Sequence, residues 1–585
     1  MGEKRSLSEL PHDIVDQILS YLTNTDAIKV GILSKDLYNT MRTRTNLLFD
    51  SDSFVSPGSE IAWDCDPELR EKIHKEASCM VSTLQRYHME NIDLEIFTYK
   101  GAHDFYGPSN QCIELATTKN SLRILNLSMC HPTTVLPSSV FGIESLVELS
   151  LQRCCIREQQ ESGISCPNLR RLFLGEVLLQ NHINMERWFE KIIRSYPLIE
   201  SIEITYCGDT YRVVCFKVSN LQNLKQLKVH LFPGHNIEVD VAPNLESVSC
   251  ITFKSLFGTR VRLSFRQSEY RNLRSLFLTH DVGVNDSDDG CFSFSHRTRQ
   301  FPQLEELSIQ HYENLKRINI SSPSLKKIRL ASMRNLEVAD FDVPSLAVFE
   351  YENVCDNVLG TIGTIVPDVS FVSRGGAERQ WISRIKLSCQ SDASGLVELK
   401  EFLIPFEGSQ VFMTIDLKFE GNYVDDLDCY EMVIDDDDSF PVSSCSAVNG
   451  IEIQEFVLDG LKWVWEEGKF FLSSARAALL LLGILGFCRP KTIIIPDLYY
   501  YNNPKLIYEM MVLRSDRSEL WDVTSVEIEI VLYSTRTEGN PSEVRRRVLH
   551  RPRPSDKWEF LELLKADEKS SYKVSLRFSL EWRRS

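Results

Sequence analysis

One short pattern, L-x-x-L-x-L, recurs ten times between residues 122 and 351 and constrains the fold of this 585-residue chain more than any other feature. Some leucine positions carry another apolar residue, and the first positions of successive copies lie 21 to 31 residues apart. Each copy is a short alternating run of the kind that forms a half-buried strand. We therefore expect one strand in each unit, and the units begin at Leu122, Leu146, Leu169, Ile199, Leu224, Leu245, Leu273, Leu304, Leu325 and Leu346.

A pattern that recurs at this period is typical of leucine-rich repeats, in which each unit stacks on its neighbours and buries a continuous core. Two extra apolar runs, beginning at Leu315 and Leu336, fall halfway between late strands and predict a second strand in those units. Earlier units leave room for helices, such as one over residues 184–195. The sequence thus predicts an α/β fold for residues 111–375, a curved leucine-rich repeat solenoid with a parallel β-sheet on its concave face.

Beyond residue 375 the L-x-x-L-x-L pattern fades, but predicted helices and strands continue to alternate. The predicted strands cover residues 411–419, 492–496, 525–532 and 572–582, and the predicted helices cover residues 396–403, 472–487, 504–514 and 557–564. Such alternation favours parallel pairing through crossover connections. Residues 376–585 are therefore expected to form divergent α/β repeats, or a cap that covers the last edge of the solenoid. The acidic stretch at residues 423–438 is expected to be an exposed loop, or a docking site for a basic segment.

Residues 7–42 form a different module, in which apolar residues recur at helical spacing. A first helix carries Leu10, Ile14, Ile18 and Leu22, with Val15 and Leu19 beside them. After a polar break at residues 23–26, the further apolar positions are Ala27, Val30, Leu33, Leu37 and Met41. Three helices of this size bury little apolar area by themselves and generally need a partner or a neighbouring domain.

The stretch LPHDIVDQILSYLTNTDAIKVGILSKDLYNTM, residues 10–41, resembles an F-box, especially that of plant F-box proteins with leucine-rich repeats. One position departs from the family, because this chain has Leu37 where a tryptophan usually follows two residues after the lysine. The resemblance implies that the module docks on a Skp-type adaptor, and through it on a cullin. The residues that match the docking motif are Leu10, Pro11, Ile14, Ile18 and Leu19.

The resemblance sets the expected domain organisation and function. The F-box is assigned to residues 5–45, a linker with a first divergent repeat to 46–110, the repeats to 111–375 and the C-terminal units to 376–585. The expected function is that of a substrate-recognition subunit of an SCF-type ubiquitin ligase, whose repeats bind an unidentified target protein and which itself catalyses no reaction. The alternative is a non-catalytic leucine-rich repeat scaffold with a vestigial F-box.

The sequence offers no motif for catalysis, metal binding or cofactor binding. It has no glycine-rich phosphate loop, no H-E-x-x-H and no G-x-S-x-G. Its 16 cysteines include no C-x-x-C pair, so they are interpreted as buried small hydrophobic residues in a reducing compartment. The net charge of -17 disfavours nucleic acid as a partner. The longest apolar run, residues 477–488, is too short for a membrane span, and we expect the cytoplasm, the nucleus or both as the location.

The middle residue of each L-x-L points to the face of the sheet opposite to the leucines. Most of these residues are small or polar, and the exceptions are Phe173 and Phe277. Because aromatic residues and arginine dominate binding hot spots, the predicted target site uses both phenylalanines as anchors and Lys228, Arg329 and Glu350 for charge complementarity. The alternative is that a loop or the C-terminal units fold over the two phenylalanines.

Overall fold

A computed structural model describes the helices, the strands and many of the turns of the chain. The described residues are 10–22, 24–50, 67–101, 109–129, 134–157, 165–179, 185–207, 213–253, 261–267, 269–280, 282–284, 291–293, 299–312, 315–333, 335–353, 367–372, 381–389, 399–417, 451–459, 463–466, 469–472, 488–498, 521–534, 542–550 and 572–584. The chain divides into two compact units, one of residues 1–287 with 299–304 and one of residues 288–298 with 305–585.

The first unit opens with the three short helices that the apolar spacing predicts, α1 (His12–Ser20), α2 (Asn24–Gly31) and α3 (Lys35–Thr43). The Ser34 hydroxyl caps α3 by accepting a hydrogen bond from the backbone N–H of Leu37 at 3.1 Å. Leu37, at the position where the resemblance leads us to expect tryptophan, is 3% exposed and belongs to the core of the three helices. The core shared by the three helices consists of Val15, Leu19, Ala27, Leu37 and Met41.

The rest of the first unit consists of the strands of one parallel sheet, which are connected by helices and by short second strands. In chain order its elements are β1 (Asn46–Asp50), α4 (Pro67–Met89), β2 (Ile96–Gly101), α5 (Ser109–Thr117), β3 (Ile124–Met129), β4 (Glu148–Gln152), β5 (Cys155–Ile156), β6 (Arg171–Gly175), β7 (Leu178–Leu179), α6 (Met185–Ser195), β8 (Ser201–Thr205), β9 (Cys215–Val218), β10 (Gln226–Leu231), β11 (Asn236–Val239), β12 (Ser247–Thr252), β13 (Arg262–Phe265), β14 (Ser275–Thr279) and β15 (Gly283–Val284).

One strand per repeat forms a parallel sheet, as the leucine pattern predicts. Its order is β1-β2-β3-β4-β6-β8-β10-β12-β14. The leucines lie in register, so that Leu149 pairs with Leu172 and Leu172 with Ile202. They are at most 2% exposed, whereas the residues between them face away from the core. The second strands form their own parallel sheet in the order β9-β11-β13-β15, so second strands begin earlier in the chain than predicted.

Two kinds of hydrogen bond join neighbouring repeats, one from an asparagine side chain and one from the backbone. In four Asn-Leu turns of the first unit, the asparagine side-chain amide donates to a carbonyl of the preceding repeat, as from Asn168 to Glu144 at 2.8 Å and from Asn244 to Gln222 at 2.7 Å. After several strands the next residue adopts a left-handed conformation, as Tyr206 does with φ 50. Its N–H then donates to the next strand, in this case to the His230 carbonyl at 2.8 Å.

The second unit contains strands throughout its described part, with short helical turns at residues 399–403 and Ile404–Phe406. Its strands are β16 (Cys291–Ser293), β17 (Glu306–Gln310), β18 (Arg317–Ser321), β19 (Lys327–Ala331), β20 (Val338–Asp342), β21 (Val348–Asn353), β22 (Asp368–Phe371), β23 (Ile382–Cys389), β24 (Gln410–Leu417), β25 (Ile451–Asp459), β26 (Trp463–Glu466), β27 (Lys469–Leu472), β28 (Cys488–Leu498), β29 (Trp521–Ser534), β30 (Ser542–His550) and β31 (Tyr572–Arg584).

The repeat architecture continues into this unit. A parallel sheet runs β17-β19-β21-β23-β24-β25-β28, and the second strands form a parallel sheet in the order β16-β18-β20-β22. The two sheets pack through aromatic rings, because Phe341 on β20 meets Phe349 on β21 at a centroid distance of 5.5 Å. The predicted second strands beginning near Leu315 and Leu336 are thus confirmed as β18 and β20.

The expectation of parallel pairing to the C-terminus is wrong for the last strands. β28 pairs with β31 antiparallel, and β31, β29 and β30 follow as antiparallel neighbours. Helix-then-strand alternation in the sequence favours parallel pairs only where a crossover returns the chain in the same direction. The acidic stretch and the predicted helices at 504–514 and 557–564 lie outside the described residues, as does nearly all of 472–487. The domain boundaries at residues 45, 110 and 375 remain predictions.

Candidate partner-binding surfaces

The three-helix module exposes an apolar surface next to its small core. Leu10 and Ile14 are 41% and 39% exposed, and Pro11 is exposed where α1 begins. Ile32 and Leu33, in the turn after α2, are 77% and 72% exposed. A module of this size that leaves several large apolar side chains in solvent has the character of an interaction surface.

Within the predicted docking set, Leu19 differs from the other residues in its burial. This residue is fully buried in the core of the three helices, so it holds the helices together beneath the exposed apolar surface. Ile18 is half-buried. Leu33 continues the apolar spacing of the second helix, but its side chain is 72% exposed. The helical spacing no longer applies there, because α2 ends at Gly31. Ile28, which is 38% exposed, and Ile32 also belong to this surface. The sequence did not predict them as surface residues, because the apolar spacing marks only the core positions.

A buried arginine fastens the three helices to the first repeat. Arg44 is 4% exposed, and its Nη1 donates to the Leu19 carbonyl at 3.4 Å. Its own carbonyl accepts from the Tyr87 hydroxyl on α4 at 2.9 Å, and Lys119 Nζ donates to the Tyr87 carbonyl at 2.9 Å. Burial lowers the pKa of the Arg44 guanidinium and raises the pKa of Tyr87. These contacts fix the module against α4.

The outward face of the first unit's sheet places Phe173, Lys228 and Phe277 in one register row. That row runs Thr98, Asn126, Ser150, Phe173, Glu203, Lys228, Ser249 and Phe277 across successive strands. The two phenylalanines are four strand steps apart, or about 19 Å. Lys228 pairs with Glu203 at 2.7 Å, so its charge is balanced by the neighbouring strand. The predicted anchors therefore flank a polar strip rather than touch each other.

Both phenylalanines are half-buried on this face. The Phe173 ring lies along its own strand over Gly175, since a Cβ added at Gly175 would lie 2.9 Å from Phe173 Cε1 and 3.0 Å from Cζ. The glycine thus provides the room in which the ring lies flat.

A cluster of aromatic rings lies at the ends of three successive strands of the first unit. Tyr206, Phe232 and Phe253 each follow directly after β8, β10 and β12. Tyr206 stacks on Phe253 with centroids 4.5 Å apart and planes 13° apart, and it contacts Phe232 at 5.5 Å. Phe253 is 50% exposed. The leucine pattern does not predict this cluster, and its signal in the sequence is an aromatic residue directly after each of three repeat strands.

Arg329 and Glu350 lie in the second unit, within a network of ion pairs across three strands. Glu350 on β21 contacts Arg384 on β23 at 2.9 Å, Lys327 on β19 at 3.6 Å and Arg329 at 4.0 Å. The five predicted target residues are therefore distributed over two units, three in the first and two in the second. The three in the first unit share one surface.

Two requirements of reactive sites are a cluster of metal ligands and an ionised thiol. Among the described residues, no group of three or more His, Cys, Asp or Glu is placed to hold a metal ion. Burial raises the pKa of the Cys166 thiol to about 11 and those of Cys207 and Cys250 to about 12, so these thiols are protonated and poorly nucleophilic. Within the same parts of the chain, no helix is both long and apolar enough to cross a membrane.

The comparisons with known proteins agree with this architecture. Residues 113–276 match the family model for the leucine-rich repeats of FBD-associated F-box protein At5g56370. The resemblance to plant F-box proteins with leucine-rich repeats is thereby confirmed. Arabidopsis thaliana F-box protein At3g59150 is 26% identical over 202 residues, covering 34% of this chain and 40% of that protein.

Two further plant relatives extend the comparison. Arabidopsis thaliana F-box/FBD/LRR-repeat protein At3g14710 is 26% identical over 200 residues, covering 34% of this chain and 41% of its own length. Another Arabidopsis F-box/LRR-repeat relative is 22% identical over 392 residues, covering 59% of this chain and 75% of that protein. The alignments with At3g59150 and At3g14710 span about two fifths of those proteins.

Proposed function

We propose that the chain is a substrate-recognition subunit of an SCF-type ubiquitin ligase. The three helices act as the F-box that docks on a Skp-type adaptor, and through it on a cullin, while the repeats bind a target protein. The observation that carries this proposal is the exposed apolar surface of Leu10, Ile14, Ile32 and Leu33 on a module with a very small core. Covering that surface with a partner removes it from water.

In this role the chain contributes binding and no bond-making step. It raises the effective concentration of the target beside the enzyme that carries ubiquitin, and the hydrogen bonds of Arg44 with Leu19 and Tyr87 join the module to α4. No cofactor is required, and the cytoplasm, the nucleus or both are the proposed location.

The docking proposal is tested by replacing Leu10, Ile14 and Ile32 together with alanine. Adaptor affinity should fall at least about tenfold, since burying each such side chain contributes about 1.5–3 kcal/mol. The melting temperature should stay the same, because the three side chains are 39% to 77% exposed. Isothermal titration of the purified chain with a purified Skp-type adaptor measures the affinity.

The matched control is Val213→Ala, an apolar residue of the repeats that is 66% exposed. It should leave adaptor affinity unchanged. Unaltered affinity in the triple variant contradicts the docking surface. If the unmodified chain itself fails to bind the adaptor, the alternative of a repeat scaffold with a vestigial F-box takes its place.

The target surface of the first unit is tested by Phe173→Ala combined with Phe277→Ala. Each ring that a target covers contributes roughly 2 kcal/mol, so capture of target proteins should fall more than about tenfold. Capture is measured by quantitative mass spectrometry of proteins that co-purify from cells with the proteasome blocked. Lys228→Ala on the same row serves as a comparison and should have a smaller effect, because Lys228 already pairs with Glu203.

The melting temperature separates the two explanations of this face. The melting temperature of the double variant should change little if both rings are available for a partner to bind. A large fall would place both rings beneath a covering segment of the chain and would overturn the target surface.

A further inference from the structure

The outward face of β19, β21 and β23 carries two rows of cations on either side of a row of carboxylates. We call it the cationic sheet face, and its residues are Lys327 and Arg329 on β19, Glu350 and Glu352 on β21, and Arg384 and Lys386 on β23. Glu352 accepts from Arg329 at 3.1 Å and lies 3.7 Å from Lys386. Each carboxylate is thus shared between cations of both flanking strands.

The cations stand further into solvent than the carboxylates that they contact. The side chains of Glu350 and Glu352 are 18% and 33% exposed, whereas those of the four cations are 39% to 56% exposed. Arg384, at 56%, is the most exposed of the six. A molecule approaching this face therefore meets guanidinium and ammonium groups first.

Positive charge remains in surplus after the internal pairs are counted. Four cations face two carboxylates, which leaves two positive charges on the face. Glu306 on β17 shares a register position with Lys327 and reduces the surplus to one if it is included. Glu455 on β25 pairs with Arg577 at 3.4 Å, so it is already balanced. This surplus contrasts with the net charge of -17 for the whole chain.

We propose that the cationic sheet face binds an extended acidic segment of the target protein. Lys327 and Arg329 are two residues apart on one strand, as are Arg384 and Lys386 on another, so each pair is separated by about 6.8 Å. An extended peptide presents alternate side chains at the same separation. Laid along β21, it would place acidic side chains at alternate positions beside the flanking cations.

Several contacts together supply the affinity. An exposed ion pair contributes little by itself, but arginine offers parallel donors that suit a carboxylate, and complementary charge speeds the encounter. This inference rests on the proposed function only in taking the occupant to be the target. The face belongs to the repeats and can be tested without an adaptor.

The test uses the full chain and a fluorescein-labelled peptide of alternating glutamate and serine. Fluorescence anisotropy should report binding that weakens as ionic strength rises. Arg384→Ala with Lys386→Ala should weaken binding about tenfold. Glu350→Gln with Glu352→Gln should tighten it several-fold, because the surplus of positive charge grows. A peptide with the same residues but contiguous glutamates should bind less well.

The matched control is Arg170→Ala with Lys225→Ala. These two cations share Glu200 in the first unit, at 2.6 Å and 3.0 Å, and are similarly exposed. They should leave peptide affinity unchanged, and an equal loss would mean that any surface cation attracts the peptide. A fall in the melting temperature of the Arg384 and Lys386 variant without a change in its peptide affinity would show that these ion pairs only stabilise the fold. Both results overturn the proposal.

The alternative occupant of the cationic sheet face is the chain's own acidic segment. If changing Asp435–Asp438 to asparagine tightens peptide binding, the chain's own acidic segment competes for the face and the assignment to a target is overturned. If affinity is unchanged by those substitutions, a partner remains the occupant. Adaptor affinity is measured separately, so failure of docking and failure of this face are distinguishable.

Discussion

Replacing Leu19 with alanine should destabilise the three-helix module by about 2–5 kcal/mol, the range for deleting a buried leucine side chain. Leu19 has no exposed surface and packs in a core of five side chains. Its carbonyl also accepts the buried Arg44 guanidinium at 3.4 Å. A core this small has few other contacts to compensate, so most of the marginal stability of the module is lost.

Hydrogen exchange of the α1, α2 and α3 amides measures this effect. Protection should fall sharply across all three helices, while the amides of β4 and β6 keep theirs, because the repeats bury their own core. Adaptor affinity should fall with it. Ile14→Ala is the matched control in the same helix, since Ile14 is 39% exposed, and it should lower adaptor affinity without changing exchange. Unchanged protection in Leu19→Ala would show that the module does not depend on this core.

The second large effect is expected from Trp188→Ala in α6. Trp188 is 1% exposed and meets Phe141 edge to face at a centroid distance of 6.2 Å. Its neighbour Phe189 meets Phe216 on β9 at 5.2 Å, so α6 fills the space between repeats with large rings. Losing the indole should cost about 3–5 kcal/mol. Urea unfolding followed by circular dichroism, with exchange of the α6 amides, measures the loss.

Two further variants separate packing from surface charge at this helix. The Trp188 Nε1 has no acceptor among the residues that the structure describes, so removing this N–H breaks no hydrogen bond there. Because Trp188→Phe also keeps an aromatic ring, it should cost less stability than the alanine variant. Arg194→Ala removes a side chain that is 76% exposed and pairs with Glu190 at 3.5 Å, and its effect should stay within about 0.5 kcal/mol. Equal losses in Trp188→Ala and Arg194→Ala would contradict the packing argument.

The strands of the repeats could be predicted from the sequence because their signal is local. Alternation between buried and exposed residues has a period of two, and the period holds whatever the strand pairs with. The positions of Phe173, Lys228, Phe277, Arg329 and Glu350 on the outward face therefore followed from the leucines beside them, and none of the five is buried. The same alternation predicted β18 and β20 as second strands.

The balance of charges on that face could not be predicted from one strand. Lys228 and Glu350 have the same outward position within their own strands, but their partners come from neighbouring repeats that lie 21 or more residues away, such as Glu203, Arg329 and Arg384. Only the register of the sheet decides which charges meet. The aromatic cluster of Tyr206 and Phe253 depends on the same register.

The sequence by itself determined the repeat period, the first strand of each repeat and the existence of three helices at the N-terminus, because each depends on spacing within a few residues. The tertiary structure decided which apolar residues of those helices are core and which are surface. Leu19 and Ile14 lie on one helix with similar chemistry, yet the packing of α2 and α3 buries the first and leaves the second at 39% exposure. It also decided that β31 returns antiparallel to β28. Direction and burial depend on contacts between distant segments, which local spacing does not encode.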